Sequence, residues 1–157
     1  REDTASTLHD RLAALGADAL LEALAALAQG PVNATPQDDD EVTYASRIAK
    51  SDGDLDWTRP ADALHRQIRG LYPWPGTRTQ LAERALTLKV HPPVALGSLK
   101  HDAEPGTVLS ADSEGIEIAC GEGTSLRLMK LQAPGKKPLE VASFLSGFSL
   151  EPGEVMR

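Results

Sequence analysis

Apolar residues follow two periods along this chain, and the change from one to the other falls in the residue 70s. In "TASTLHDRLAALGADALLEALAALAQG", Leu8, Leu12 and Leu15 recur at helical spacing, and Leu20, Leu24 and Leu27 repeat it. Ser6 or Thr7 is positioned to cap the first turn, Gly16 to divide the run into two helices, and Gly30 to stop the second. "PVNATPQDDDEV" (31–42) has no period and cannot build a core, so it reads as an acidic linker. Residues 43–49 look extended, and Asp52-Gly53 marks a turn. Thr58 should cap a helix with Pro60 in its first turn, Leu64, Ile68 and Leu71 as the buried stripe, and Gly70 at its end. From residue 85 the period is two: 85–91, 106–111, 115–121 and 125–132 are strand-like, separated by turn residues at 112–115 and 121–123. "PLEVASFLSGF" (138–148) suggests a short helix plugging one end, followed by an extended tail.

These elements predict an α+β chain in three parts. Residues 1–30 are helices with an apolar stripe that needs a partner, 31–42 are the linker, and 43–157 form a small antiparallel, OB-like barrel with short helices. Composition fits a globular protein, with 41% hydrophobic and 25% charged residues. No run is expected to approach the roughly 18 apolar residues of a membrane span, and no signal-peptide pattern is present. Cys120 is the single cysteine, so no internal disulfide forms, and it reads as a buried, inert thiol. These features point to the cytoplasm and away from a membrane. The chain opens at Arg1 on a charged segment and a helix, as the interior of a longer protein would. The net charge of −7 argues against a simple nucleic-acid binder, but it is unevenly spread. Residues 1–57 carry twelve acids and four bases, whereas 58–157 carry eleven acids and twelve bases. The back of the chain is therefore free to carry a basic patch.

Catalysis should show as a constellation, and the sequence offers none. His9, His65, His91 and His101 are scattered, without metal-ligand spacing, and one cysteine adds nothing. There is no Walker loop and no GxGxxG. The acids at 38–41 read as a solvated loop rather than a metal site. No catalytic residue, no metal and no cofactor are therefore assigned to this chain. Small barrels often bind oligonucleotides, and the candidate footprint is Arg47, Lys50, Arg66, Arg69, Lys130, Lys136 and Lys137, acting by phosphate neutralisation. A solvated basic helix face is the competing reading for Arg66 and Arg69. "GLYPWPGTRTQL" (70–81) concentrates scarce aromatics, since Trp57, Tyr72 and Trp74 are half of the chain's six. Pro73 and Pro75 fix φ and stiffen the passage from helix to barrel; Trp74, with Trp57, is expected to be the apolar anchor of that joint.

"TYASRIAKSDGDLDWTRPADALHRQIRGLYPWPGTRT" resembles the stretch joining the two domains of methionyl-tRNA formyltransferases. "EDTASTLHDRLAALGADALLEAL" is similar to the end of that family's catalytic domain, and the run through "LQAPGKKPLEVASFLSGF" to its C-terminal barrel. The resemblance implies transfer of a formyl group from 10-formyltetrahydrofolate to the methionine of methionyl initiator tRNA. It also implies that the catalytic Asn, His and Asp belong to a missing N-terminal domain, leaving this part inactive alone. The barrel and its lead-in would hold the tRNA through Arg47, Lys50, Arg66, Arg69, Lys136 and Lys137, in a protein expected to be monomeric. The C-terminal domain of another folate-dependent formyltransferase, or a non-enzymatic RNA-binding module, are the alternatives.

Overall fold

The computed structural model describes residues 2–157. Its first element is one continuous helix, α1 (Ala5–Gln29). The break expected at Gly16 does not occur. A single glycine costs a helix only about 1 kcal/mol, and the alanines and leucines on both sides carry the run through it. The cap is Thr4 rather than Ser6 or Thr7. Its hydroxyl accepts from the Thr7 N–H while Thr7 returns a bond to the Thr4 N–H. No residue of α1 is buried, and its leucines lie open along the stripe. By length and composition α1 could also cross a membrane, with mean hydropathy 1.5, which corrects the reading that no run approaches that size. One such helix near an N-terminus is weak grounds for a span, because core helices of soluble proteins meet the same test. Residues 31–49 are exposed and irregular apart from a short turn at Asp39–Glu41, so the extended segment expected at 43–49 pairs with nothing.

The remainder folds around one core. A turn at Lys50–Gly53 leads to α2 (Ala61–Gly70), then β1 (Thr77–Leu81), β2 (Leu86–Leu96), β3 (Val108–Asp112), β4 (Gly115–Ala119), β5 (Ser125–Gln132), β6 (Leu139–Glu140) and α3 (Val141–Leu145). The strands form one antiparallel sheet ordered β1-β2-β5-β4-β3, with β6 also on β5. Its two edges are joined by the tail. Ala82 N donates to Val155 O and Gln80 N to Arg157 O on the β1 side, and Val108 N donates to Glu154 O on the β3 side. Leu88, Val90, Ile116, Ile118, Leu126, Leu128 and Leu131 point inward, and α2 covers them with Leu64 and Ile68. Leu71 is only half-buried.

Strand β1 has no counterpart in the sequence-based expectation. In "TRTQL" the inward positions are two threonines and a leucine, so no apolar alternation marks it. The threonines are tolerated inside because both are satisfied. Thr77 Oγ1 donates to Val90 O at 2.9 Å, and Thr79 Oγ1 accepts from Trp57 Nε1 at 2.9 Å.

That last bond corrects the expected anchor. Trp57 is 3% exposed and seats the joint, whereas Trp74 is 58% exposed and lies outside the core. Trp57 also offers its carbonyl to Gly121 N at 2.9 Å, so the indole side and the backbone both hold the sheet. Trp74 instead sits in the loop closed by Gly76 N donating to Leu71 O at 2.9 Å. Pro75 backs onto Gly53, where a Cβ would meet Gly76 O at 2.3 Å. Only glycine lets the Lys50–Gly53 turn approach the loop that closely.

Candidate nucleic-acid interface

Alternation decides which basic residues leave the sheet. In β1, Thr77, Thr79 and Leu81 are buried, which turns Arg78 and Gln80 outward. In β2, Leu88 and Val90 are buried, which turns Lys89 and His91 to the same outer face. Register then sets neighbours: Arg78 lies opposite Lys89, Lys89 opposite Gln132, and His91 opposite Lys130. The irregularity between His91 and Val94 keeps Lys130 beside His91 while Leu128 stays inside.

The loop after β5 hangs over this face. Gln132 Nε2 donates to Lys136 O at 2.7 Å, and Lys136 N to Ala133 O at 3.1 Å. Gly135 takes φ +68°, the left-handed conformation that lets the loop turn back. Three shallow depressions follow, and each includes part of the 133–138 loop. The first, about 230 Å³, lies between Arg78, Lys89 and Gln132. A second, about 380 Å³, is bounded by Tyr72, His91, Lys130 and Lys137. The third, about 420 Å³, is an apolar groove floored by Phe144 and Phe148 with Lys136 and Lys137 at its rim. Arg78, Lys89, Lys130, Lys136 and Lys137 thus all border depressions around this one loop.

Two carboxylates reach this surface, and each is matched. Asp54 pairs with Arg78, and Glu140 meets Lys130 Nζ at 2.9 Å. The Glu140 hydrogen bond and its charge hold the Lys130 ammonium above the ordinary lysine range. Lys89, Lys136 and Lys137 make no ion pair among the described residues, so their charge faces solvent.

The structure divides the footprint expected from sequence. Lys130, Lys136 and Lys137 come together on one face. Arg66 lies elsewhere, on α2, bonded to Asp62 at 2.7 Å and beside a broad groove walled by Asp52, Asp54 and Asp56. Hydrogen bonds from Thr58 hold the Asp56 carboxyl below the ordinary aspartate range, and the Arg66 hydrogen bond does the same for Asp62. That region is mixed in charge and gives phosphate no clear preference. Arg69 is half-buried and donates from Nη1 to Asp3 O at 3.0 Å, tying the start of α1 to the end of α2. Arg47 and Lys50 are exposed in the irregular lead-in and its turn. Arg78, Lys89 and His91 are the members that sequence reasoning missed. The outward phase of Lys89 was readable in "ALTLKVH", but the cross-strand register that gathers these residues was not.

The Cys120 thiol is buried and pushed up to about 12, so it is neutral and inert. His65 is pushed down by burial against β2, and His101 Nε2 is engaged with Thr124 O at 2.7 Å. No group of three His, Cys, Asp or Glu side chains that could hold a metal occurs among the described residues.

Fold and face together define a small α+β module with an antiparallel sheet whose outer face gathers basic side chains. Residues 47–149 match the family described as "Formyl transferase, C-terminal domain", and the chain belongs to that family. It is 46% identical over 153 residues to the methionyl-tRNA formyltransferase of Ralstonia pickettii, covering 97% of this chain and 46% of that protein. It is 47% identical over 145 residues to that of Pseudomonas savastanoi pv. phaseolicola, covering 92% of this chain and 44% of that protein. The chain thus spans about half the length of the curated relatives it matches. Among solved structures, a variant of HypX from Aquifex aeolicus superposes with TM-score 0.59 at 19% identity, over 86% of this chain and 24% of that one. HypX in complex with tetrahydrofolic acid gives 0.57 at 17% identity, over 89% and 26%. At these identities the likeness concerns the fold alone.

Proposed function

We propose that this chain is the C-terminal part of a methionyl-tRNA formyltransferase and that it holds methionyl initiator tRNA for a catalytic domain encoded upstream. That domain would transfer the formyl group from 10-formyltetrahydrofolate, in the cytoplasm. In this reading α1 closes the catalytic domain, 31–42 is the linker, and 43–157 is the tRNA-holding barrel. The observation that carries it is the unpaired lysine surface of Lys89, Lys136 and Lys137, on a chain whose relatives of that name are twice as long. The bare leucine stripe of α1 supports the assignment, because an apolar stripe of that length needs a partner surface. The tRNA-binding set becomes Arg78, Lys89, Lys130, Lys136 and Lys137 at the sheet, with Arg47, Lys50, Arg66 and Arg69 as outlying contacts. Phosphate contacts of this kind position the tRNA without reading its sequence.

The test is fluorescence anisotropy of the chain with methionyl initiator tRNA across a salt series. Binding should weaken linearly on a log–log plot, and neutralising Lys89, Lys136 and Lys137 together should flatten the slope by about 2–3. Absence of binding at low salt would sink the reading for this part of the protein. Formylation of a sugar nucleotide instead of methionyl-tRNA by the full-length protein would assign it to another folate-dependent formyltransferase.

A further inference from the structure

The 380 Å³ depression combines features that phosphate neutralisation does not need. Tyr72 and His91 line it with ring centroids 6.1 Å apart and planes at 81°, forming an aromatic corner. A flat ring stacked on one of them meets the other edge-on, which is the favoured geometry for both contacts. Pro92 and Pro138 bound the depression, so its walls are stiff. The His91 ring is held by Gln132, with Nε2 and Oε1 2.9 Å apart, and the same amide donates to Lys136 O at 2.7 Å. Ring and lysine loop are therefore set by one side chain. Lys137 reaches the depression without an ion pair, while Lys130 there is engaged by Glu140.

We propose that this depression is a subsite for one unstacked nucleotide of single-stranded RNA, its base seated in the Tyr72–His91 corner and its phosphate on Lys137. The volume is that of a small-ligand pocket and far too small for a duplex. An aromatic platform beside a cationic groove is how barrels hold single strands, and stacking of this kind tolerates any base. Lys130 serves as a second phosphate contact if Glu140 releases it. Gln132 is a positioning residue, acting through His91 and the loop. The inference rests on the proposed RNA-holding function and adds that an unpaired nucleotide, not the helical stem, occupies this point.

The experiment titrates isotope-labelled chain with the 5′-phosphorylated tetranucleotide ACCA, with an eight-base-pair RNA hairpin and with tripolyphosphate, following the Tyr72 and His91 ring resonances. The tetranucleotide should shift both rings, and the other two probes should not. Tyr72→Ala should weaken tetranucleotide binding about 5- to 150-fold, the range for loss of one stacked base, with Tyr72→Phe retaining it. Lys137→Gln lies on an exposed loop where folding is not at stake, and it should lower the salt slope by about 1. Gln132→Ala should weaken the tetranucleotide more than tripolyphosphate, because it frees the His91 ring as well as the lysine loop. Equal displacement by tripolyphosphate would reduce the site to an anion contact and overturn the proposal. So would ring shifts with the hairpin as large as those with the tetranucleotide. Silent rings alongside salt-dependent tRNA binding would remove the subsite and leave the tRNA reading standing. Loss of both would remove the tRNA reading as well.

Discussion

Two tryptophans separate structural from surface roles at single positions. Trp57 is buried and bonded to Thr79, so Trp57→Ala leaves a large cavity and removes the donor to the Thr79 hydroxyl, which keeps only its bond to Arg157 O. Denaturant unfolding should show a loss of about 3–5 kcal/mol. Trp74 is mostly exposed, and Trp74→Ala should stay within about 0.5 kcal/mol of the parent. Equal losses at both positions would show that Trp74 packs on this module. Glu117 presents a different case. It is fully buried, and its carboxylate accepts from Ser125 Oγ at 2.6 Å, Leu99 N at 3.0 Å and Arg127 Nη2 at 3.0 Å. Burial pushes this carboxyl up, but the hydrogen bonds and the arginine outweigh it and hold it below the ordinary glutamate range. A carboxylate depressed in the folded state contributes stability above its unfolded pKa and loses it as pH falls through the folded one. Glu117→Gln should therefore cost stability near pH 7, by about 1.5–3 kcal/mol. It should also make the denaturation midpoint less sensitive to acid below the glutamate range. A parallel acid profile in parent and variant would contradict that account.

Among the elements, α2 shows how far local signals reach. The sequence expected Thr58 as its cap, yet the helix begins at Ala61 and Thr58 instead bonds Asp56 Oδ1 at 2.7 Å. The helix's first free N–H, that of Ala61, donates to Thr124 Oγ1 at 2.9 Å, from the turn between β4 and β5. The cap is thus tertiary, and Gly121 allows it by packing against the Thr58 carbonyl where a Cβ would lie 1.9 Å away. Thr124→Val removes the acceptor and should cost about 0.5–2 kcal/mol, as loss of a local cap does. Unchanged unfolding in that variant would mean that the bond is replaced by solvent. Strand β1 makes a related point: its inward threonines have the right spacing and the wrong polarity, so only the partners at Val90 and Trp57 reveal why they can be inside.

For the whole molecule, closure of the sheet depends on its last eight residues. Leu150 and Met156 are buried, and the tail accepts from and donates to both edge regions. Deleting 150–157 should expose the β1 and β3 edges, lower the melting temperature and promote association, since open strand edges pair with one another. Amide exchange should quicken first at Gln80, Ala82 and Val108, whose N–H groups the tail holds. Protection at those amides after truncation would show that the sheet closes without the tail. Charge is distributed on the same scale. The acidic excess lies in the first 57 residues, while Lys89, Lys130, Lys136 and Lys137 gather on the outer sheet face, so a net charge of −7 coexists with a basic patch.

The helical run at the front, the irregular acidic stretch after it, α2, four of the strands and the short helix near the end were legible in the sequence, because periodicity is a property of neighbours along the chain. The sequence also marked Lys130, Lys136 and Lys137, and the family resemblance through "DLDW", "PWPG" and "LQAPGKK". That Trp57 rather than Trp74 is the anchor was settled by long-range packing. Tertiary structure alone set Arg78, Lys89 and His91 beside the lysines and left Arg66 among carboxylates. Those outcomes depend on strand register and on contacts such as Trp57–Thr79 and Ala61–Thr124, 22 and 63 positions apart, and a local pattern carries no term for either.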